Sequence, residues 1–254
     1  MNNLLNCTSI GRNAFNNCIS LAIDVNCPKL TELLVGAFYK SGIISVTNLG
    51  STKSLPGSEQ NWGSVGVFQG CTSLTNVDMS SVTSIGDNAF RNTKIKNIHS
   101  LGLDCVINGS WNNGAFRNST LETINLENVS KITGYLGGIS TLTSVGNSFN
   151  RLTSLSNDVF NNCTNLVIED FSAPSLETLG TSAFANTKIR KVSNLGNITS
   201  IGDRCFYNCK ELTEFTDPVN PCKYSRAIEG CSNLTKIHIQ DNSKWFRNTF
   251  GENN

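Results

Sequence analysis

Ten cysteines and two histidines are the residues of this sequence that most invite a chemical interpretation. Disulfides can hold a cysteine-rich chain together, and suitably spaced Cys and His side chains bind zinc. Five cysteines, however, occupy one position of a recurring local pattern that other copies fill with Thr or Ser. A position shared by Cys, Thr and Ser selects for a small side chain, so we expect buried free thiols there. These cysteines are Cys18, Cys71, Cys163, Cys209 and Cys231.

The remaining cysteines give no metal-binding pattern. Cys205 lies four residues before Cys209, but no His or second Cys pair stands nearby in the sequence, which argues against a zinc site. The other four lie in linking segments, and a disulfide among them is left open without an assigned pairing. They are Cys7, Cys27, Cys105 and Cys222.

The two histidines, His99 and His238, both fall on the predicted solvent side of a strand, six repeats apart. At about 4.8 Å per stacked strand, they are separated by roughly 29 Å and cannot share a site. The sequence also has no nucleophile elbow, phosphate-binding loop or HExxH motif. We therefore expect a protein that is not an enzyme and that needs neither a metal ion nor a cofactor.

Composition excludes two classes of partner. Charged residues make up 15% of the chain, the formal net charge is +1, and no long run of like charge occurs, so nucleic-acid binding is not expected. No apolar stretch approaches the roughly 18 residues that cross a bilayer, so membrane insertion is not expected either. The N-terminal residues Met1–Leu5 lack the basic start and apolar core of a signal peptide.

A short unit repeats along the whole chain. Its clearest copies are Ile85-Gly86-Asp87-Asn88-Ala89-Phe90 and Ile201-Gly202-Asp203-Arg204-Cys205-Phe206. With the last residue of each copy as an anchor, successive anchors are 23, 30, 22, 26, 20, 24, 24, 22 and 22 residues apart. The anchors are Phe15, Phe38, Phe68, Phe90, Phe116, Leu136, Phe160, Phe184, Phe206 and Ile228. We expect the anchor phenylalanines to form a continuous buried ladder, because each lies one turn above its equivalent.

Each unit reads as a short helical turn followed by a strand. Three residues before the anchor stand side chains that can accept hydrogen bonds at a helix start, namely Asp87, Asn157, Thr181 and Asp203. Two residues after the anchor stands Asn or Gly, with Lys40 as the exception, and this predicts a left-handed residue that ends the turn. The alternation that follows, as in 121–126 and 234–239, predicts a strand with one buried face.

This combination of motifs resembles a known family. The run Thr83–Asn92 and the Phe-x-Asn-Cys-x-x-Leu pattern at Phe160 and Phe206 are similar to the BspA-type leucine-rich repeat of bacterial surface proteins. The likeness covers roughly residues 8–240. It departs from the pattern at Leu136, at the unit of Ile228, which lacks Ile-Gly, and at Glu169, which stands in a slot that is apolar elsewhere.

The repeat and the resemblance together predict an α/β fold. We expect a right-handed solenoid with one short parallel strand per 22–24-residue turn and short helical turns on the opposite side. Residues 1–254 form a single domain of about ten units, with inserted loops at 50–64 and 104–113 and a C-terminal cap at 241–254. The first loop carries Trp62, a candidate contact residue, whereas Trp111 of the second occupies an inward slot and is expected in the core. The start of the chain reads as mid-repeat, as in a fragment of a longer protein.

Side chains that flank the central apolar residue of each strand should point to solvent, because side chains alternate along a strand. These residues form a polar face that carries both charge signs and is the predicted binding surface. They are Asn76, Asp78, Asn97, His99, Thr123, Asn125, Glu127, Lys191, Ser193, Glu214, Thr216, Lys236, His238 and Gln240.

The resemblance implies an extracellular or cell-surface location and adhesion to host matrix or cell-surface proteins. We therefore expect a non-catalytic binding module with a protein ligand, in a bacterial surface or secreted protein. Two alternatives stay open. One is a carbohydrate-binding module in which Trp62 stacks on a glycan, and the other is an architectural spacer within a larger surface protein.

Overall fold

The computed structural model describes residues 4–57, 65–110, 112–218 and 226–239, which wind into a solenoid of stacked coils. All strand pairs in these residues are parallel, and each joins one coil to the next. The strands are β1 (Ser9–Ile10), β2 (Asp24–Asn26), β3 (Glu32–Leu33), β4 (Ser45–Asn48), β5 (Ser54–Leu55), β6 (Asn76–Val77), β7 (Ser84–Ile85), β8 (Asn97–Ile98), β9 (Cys105–Ile107), β10 (Thr123–Ile124), β11 (Val129–Ile132), β12 (Ser154–Leu155), β13 (Val167–Ile168), β14 (Phe171–Ser172), β15 (Thr178–Leu179), β16 (Lys188–Ile189), β17 (Lys191–Asn194), β18 (Glu214–Thr216) and β19 (Lys236–His238).

Most coils contribute two strands rather than the single one expected from the repeat. The first sheet lies just before the turn of each coil and contains the pair of β1 with β3 and the six-stranded array β5-β7-β9-β11-β12-β15. The second sheet follows the turn and is divided into β2-β4-β6, β8-β10, β13-β16 and β14-β17-β18-β19. Strands β5 and β9 lie within the segments 50–64 and 104–113, for which the spacing predicts inserted loops.

The prediction of short helical turns, and with it the α/β class, is wrong: the described residues contain no helix, and the fold is a parallel β-solenoid. The turn around Phe90 shows why. Its alternate N–H groups donate to carbonyls of the next coil, as in Phe90 N to Ala115 O at 2.7 Å and Asn92 N to Arg117 O at 3.1 Å. Only the intervening N–H groups bond within the turn, to the carbonyl three residues earlier. An α-helix needs consecutive N–H groups for bonds to the fourth preceding residue, and here every second one is engaged between coils.

Left-handed residues also prevent a helix from forming. The Asn or Gly position two residues after the anchor has a positive φ in all ten units, including that of Lys40 (54°), which confirms the predicted conformation. In seven units the residue two before the anchor is left-handed as well, and these include Asn88 (55°), Ser182 (52°) and Arg204 (52°). Two reversals of backbone twist within five residues leave no room for a helical turn.

The side chains expected to start those helical turns instead join neighbouring coils. Asn157 Oδ1 accepts a hydrogen bond from Thr181 N of the next coil at 2.8 Å. Asp203 accepts two from the guanidinium of Arg226, at 3.1 and 2.8 Å. Polar side chains before the anchor thus stabilise the stacking of coils rather than the start of a helix.

The anchor phenylalanines form the predicted ladder in the core. Five of them stack with ring centroids 5.1, 5.6, 5.4 and 5.2 Å apart, in the order Phe15, Phe38, Phe68, Phe90, Phe116. Leu136 interrupts the aromatic series, which resumes at Phe160, Phe184 and Phe206 with 5.4 Å spacings. All of these side chains except Phe15 are buried.

The position shared by Cys, Thr and Ser has a second requirement besides small size. The Cys71 thiol donates to the carbonyl of Phe38 at 2.9 Å, and the Cys209 thiol donates to that of Phe184 at 3.1 Å. Thr187 Oγ1 donates to the same Phe184 carbonyl at 2.8 Å. In these units the position combines small size with a donor for an anchor carbonyl, which accounts for the exchange of thiol and hydroxyl side chains.

The coils approach too closely for a side chain at the Gly of the Ile-Gly motif. A Cβ atom at Gly202 would lie 2.2 Å from the carbonyl carbon of Gly180 on the neighbouring coil, well inside van der Waals contact.

The described part of the chain contains no apolar helix long enough to span a bilayer.

Candidate functional site

Every described member of the predicted polar face is exposed or half-buried, and the apolar residues between them are buried, except Ile237, which is half-buried. The predicted face has no member between Glu127 and Lys191, so it falls into two patches. The N-terminal patch contains Asn76, Asp78, Asn97, His99, Thr123, Asn125 and Glu127, and the C-terminal patch contains Lys191, Ser193, Glu214, Thr216, Lys236 and His238. Gln240, Trp62, Trp111, Cys222 and the predicted cap 241–254 lie outside the described residues. That the two patches bind a partner stays a prediction.

The N-terminal patch is hydrogen-bonded to itself and to its own backbone. Thr123 Oγ1 donates to Asn97 Oδ1 on the adjacent strand at 2.8 Å. Asp78 Oδ1 accepts from Ser80 N at 3.0 Å, which closes a turn at the end of the strand. Asn125 Oδ1 likewise accepts a hydrogen bond from Glu127 N, at 3.0 Å. Asp78 and Asn125 therefore shape the backbone as well as facing solvent.

The C-terminal patch holds a charged cluster that spans three coils. Register aligns Lys191 with Glu214 and Glu214 with Lys236 on consecutive strands. The Glu214 carboxylate lies 3.2 Å from Lys191 Nζ and 3.0 Å from His238 Nε2. These hydrogen bonds, chiefly that from Lys191, hold the pKa of Glu214 below its usual value. The sheet thus arranges cation, anion and cation in a line.

A second row of alternating charge runs beside this cluster and was missed by the sequence analysis. Arg190 lies 2.6 Å from Glu169 on one neighbouring coil and 3.1 Å from Glu211 on the other. Hydrogen bonds to these two carboxylates raise the pKa of Arg190. Ile168 points inward and Glu169 outward, so the residue that departed from the apolar pattern belongs to this row. The signal that could have revealed it is the equal spacing of 21 residues between opposite charges.

The buried thiols are unsuited to nucleophilic or metal chemistry. Burial raises the pKa of Cys71 to about 11 and that of Cys105 and Cys163 to about 12, which keeps them protonated at neutral pH. The nine cysteines of the described residues are free. Cys71, Cys163 and Cys209 are buried as predicted, but Cys18 is exposed and Cys231 half-buried, because they lie near the ends of the described stack.

The described residues bring no group of three or more His, Cys, Asp or Glu side chains close enough to hold a metal ion. His99 is exposed beside β8, and His238 pairs with Glu214 in the other patch, so the structure places them in separate surroundings. No arrangement of nucleophile, base and orienting group is built around either ring within the described part of the chain.

A groove on the turn side of the solenoid was not anticipated by the sequence analysis. It has a volume of about 470 Å³ and lies between the units of Phe116 and Leu136. Its lining residues are Arg117, Asn118, Ser119, Tyr135, Gly137, Gly138, Ile139, Ser140 and Thr141. The loss of the anchor Phe and the adjacent Gly137-Gly138 pair were the available signals.

Comparison with known proteins assigns the family. The sequence profile of the BspA type leucine rich repeat region matches residues 3–108, 64–138 and 138–254, with six copies of the repeat. The chain belongs to the BspA-type leucine-rich-repeat family. This agrees with the resemblance drawn from Thr83–Asn92 and from the pattern at Phe160 and Phe206. No curated protein sequence matches the chain significantly.

Solved structures similar to this BspA-type chain are bacterial leucine-rich-repeat proteins. One from Bacteroides ovatus is 22% identical, with 91% of this chain and 58% of that protein covered and a TM-score of 0.63, and it shares the solenoid fold. This BspA-type chain therefore spans little more than half the length of that protein. A leucine rich cell surface protein from Faecalibacterium prausnitzii is 18% identical, with coverages of 92% and 77% and a TM-score of 0.35.

Proposed function

We propose that this chain is a non-catalytic binding module of a bacterial surface or secreted protein, and that it adheres to a protein on a host or neighbouring cell through its second sheet. Membership of the BspA-type family supports the surface location. The raised pKa values of the buried thiols and the separation of the two histidines favour binding over catalysis.

The observation that carries the proposal is the alignment of opposite charges on the C-terminal patch. Lys191, Glu214 and Lys236 occupy one line across three hydrogen-bonded strands. Arg190, between two carboxylates, repeats the alternation beside it. A fixed charge pattern of this kind selects a partner with the complementary pattern and repels others, which gives specificity more than raw affinity.

The solenoid also holds these side chains in place before any partner arrives. Each coil is bonded to the next through backbone ladders on the sheets and on the turns, and the anchor side chains fill the interior. Side chains on such a support lose little conformational freedom on binding, so less of the contact energy is spent on ordering the surface.

The experiment exchanges one charge in each patch without changing the net charge. The double variant Glu127→Lys with Lys236→Glu reverses the sign at two exposed positions of the predicted face. Binding to immobilised extracellular-matrix proteins and to whole host cells would be measured by biolayer interferometry and by cell adhesion. We expect the wild type to bind and the double variant to lose about tenfold or more in affinity, because complementary charges become repulsive.

The matched control makes the same exchange beside the first sheet. Lys131 and Glu177 are both exposed there, so Lys131→Glu with Glu177→Lys also conserves net charge. This control should bind like the wild type, and both variants should melt within a few degrees of it, as exposed substitutions usually do. Equal loss in both variants would mean a general charge effect, and no loss in either would remove the second sheet as the binding surface.

A further inference from the structure

Two arginines lie side by side on the turn surface of the solenoid. Backbone hydrogen bonds join Phe90 N to Ala115 O at 2.7 Å and Asn92 N to Arg117 O at 3.1 Å. Arg91 and Arg117 therefore occupy equivalent positions of adjacent coils, which stacking places about 4.8 Å apart along the backbone. Like charges that face each other across a ladder repel and lower its stability, so this pair calls for an explanation.

Arginines elsewhere in the solenoid are paired with acidic side chains. Each of four arginines lies within 3.1 Å of a carboxylate oxygen on another coil, and these are Arg151, Arg190, Arg204 and Arg226. Within the described part of the chain, Arg91 and Arg117 have no such ion pair. Two adjacent positive charges are thus left without a carboxylate partner among these residues.

The acidic residue of the same turn, Asp87, does not neutralise Arg91. Its carboxylate accepts a hydrogen bond from the backbone of Ser110, and burial is the main cause that raises its pKa. A guanidinium in contact with this carboxylate would instead favour its charged form and lower the pKa. Asp87 is therefore engaged with the backbone rather than with the arginine.

Neutral oxygens hold both guanidinium groups over the start of their own turns. Arg117 Nη1 donates to the carbonyl of Asn112 at 2.8 Å and to its Oδ1 at 3.3 Å. Arg91 Nη1 donates to Asn88 Oδ1 at the longer distance of 3.5 Å. Asn88 Nδ2 donates in turn to Asn113 Oδ1 at 3.4 Å and links the two turns. These contacts bend both side chains back along their turns without neutralising their charge.

A small molecule can reach this pair from solvent. Arg117 lines the groove of about 470 Å³ described above, and no carboxylate is among the residues that line it. Arg91 is half-buried, and its Nε is enclosed by the protein, so contact with a ligand is restricted to its Nη groups. An arginine carries five N–H donors, of which the contacts to Asn88 and Asn112 use only a part.

We propose that Arg91 and Arg117 together bind a tetrahedral oxyanion, namely a sulfate or phosphate group, either free or as an ester of a small molecule. Each guanidinium would donate to oxygens of the same anion, because paired N–H groups match the geometry of such oxyanions. A dianion between the two arginines would also replace their mutual repulsion by two attractions. The site lies on the turn surface and is separate from the second sheet, on which the proposed protein binding rests.

The test observes the arginine side chains directly by NMR. Protein labelled with ¹⁵N-arginine gives an Nε–Hε signal for each side chain, and the signals of Arg91 and Arg117 are assigned by their loss in the single variants Arg91→Gln and Arg117→Gln. Sodium sulfate, sodium phosphate, glucose 6-sulfate and glucose 6-phosphate are titrated at constant ionic strength, with sodium chloride as the balancing salt.

We expect saturable shifts of both signals with at least one of these four compounds. Saturation by the free anions alone would identify an inorganic ion as the ligand, and saturation by a sugar ester would identify a sulfated or phosphorylated compound. If none of the four gives a saturable shift of either signal, the proposal is wrong.

The decisive variant is Arg91→Gln with Arg117→Gln, in which anion binding should weaken about tenfold or more, as followed by the backbone amide signals of Asn92 and Asn118. The matched control, Arg204→Gln with Arg226→Gln, also removes two positive charges from equivalent turn positions of adjacent coils, but these arginines are paired with carboxylates. It should bind the anion like the wild type. Equal weakening in both double variants would reveal a general charge effect and overturn the proposal.

Thermal stability separates a binding role from a structural one. Since the pair is repulsive without an anion, Arg91→Gln should melt in chloride at the same temperature as the wild type or higher. Sulfate stabilises proteins in general, but it should raise the melting temperature of the wild type more than that of the double variant, because a ligand stabilises the state that binds it. Equal increases in both proteins, measured by circular dichroism, would contradict a sulfate site at these arginines.

Discussion

Truncation of a central anchor tests whether the aromatic ladder holds the coils together. Phe90 is fully buried and stacks between Phe68 at 5.4 Å and Phe116 at 5.2 Å. Phe90→Ala should lower the free energy of unfolding by about 3–5 kcal/mol, the range for truncating a phenylalanine within a core. Phe90→Leu reproduces what Leu136 does naturally and removes two ring contacts of about 0.5–1.5 kcal/mol each, so it should cost about 1–3 kcal/mol.

Phe15→Ala is the internal comparison for these two variants. Phe15 is half-buried and stacks on one ring, that of Phe38 at 5.1 Å, so its truncation should cost about half as much as that of Phe90, in proportion to the area removed from water. Urea denaturation followed by far-UV circular dichroism measures all three, with matching denaturant slopes as the check on two-state behaviour. The inference that each ring stabilises the stack through its neighbours would be refuted by a loss of unfolding free energy under about 1 kcal/mol for Phe90→Ala. Equal losses for Phe15→Ala and Phe90→Ala would refute it as well.

Two further predictions concern ionisable groups. In the native protein at pH 8, Cys18 should react with a thiol reagent much faster than Cys71 or Cys163, because it is exposed while burial raises the pKa of the other two to about 11 and about 12. Mass spectrometry of labelled peptides reads this out, and fast native labelling of Cys71 would contradict the buried position. Glu214 has a lowered pKa in the folded state, so the stability it contributes is present above its ordinary pKa of 4.5 and is lost as pH falls through the lower folded value. Urea denaturation of wild type and Glu214→Gln across this range should show a difference that disappears at acid pH, whereas a pH-independent difference would mean that Lys191 and His238 do not stabilise the carboxylate.

Local residue preferences were enough to predict the repeat, its aromatic core and one of its two left-handed positions. Asn and Gly reach positive φ at low energetic cost, so their recurrence two residues after the anchor predicted a left-handed residue there. The second left-handed position could not be predicted in the same way. Ser182, Arg204 and Arg226 have no such preference, yet they adopt φ of 50–52°. The Ser182 N–H donates to the Asp203 carbonyl of the next coil, while its own carbonyl accepts from Ala185 N of the same turn.

The candidate sites were likewise predictable from the sequence only in part. The sequence alone determined which side chains of the second sheet face solvent, because alternation along a strand is a local property. The charged rows and the groove depend on which residues of different coils become neighbours. The pairing of Arg190 with Glu169 and Glu211, and the gap that Gly138 leaves beside Tyr135, exist only once coils of unequal length are stacked in register. The prediction of helical turns was wrong for the same reason. A backbone N–H group can bond within its own turn or to the next coil but not fully to both, and only the tertiary structure decides which bond forms.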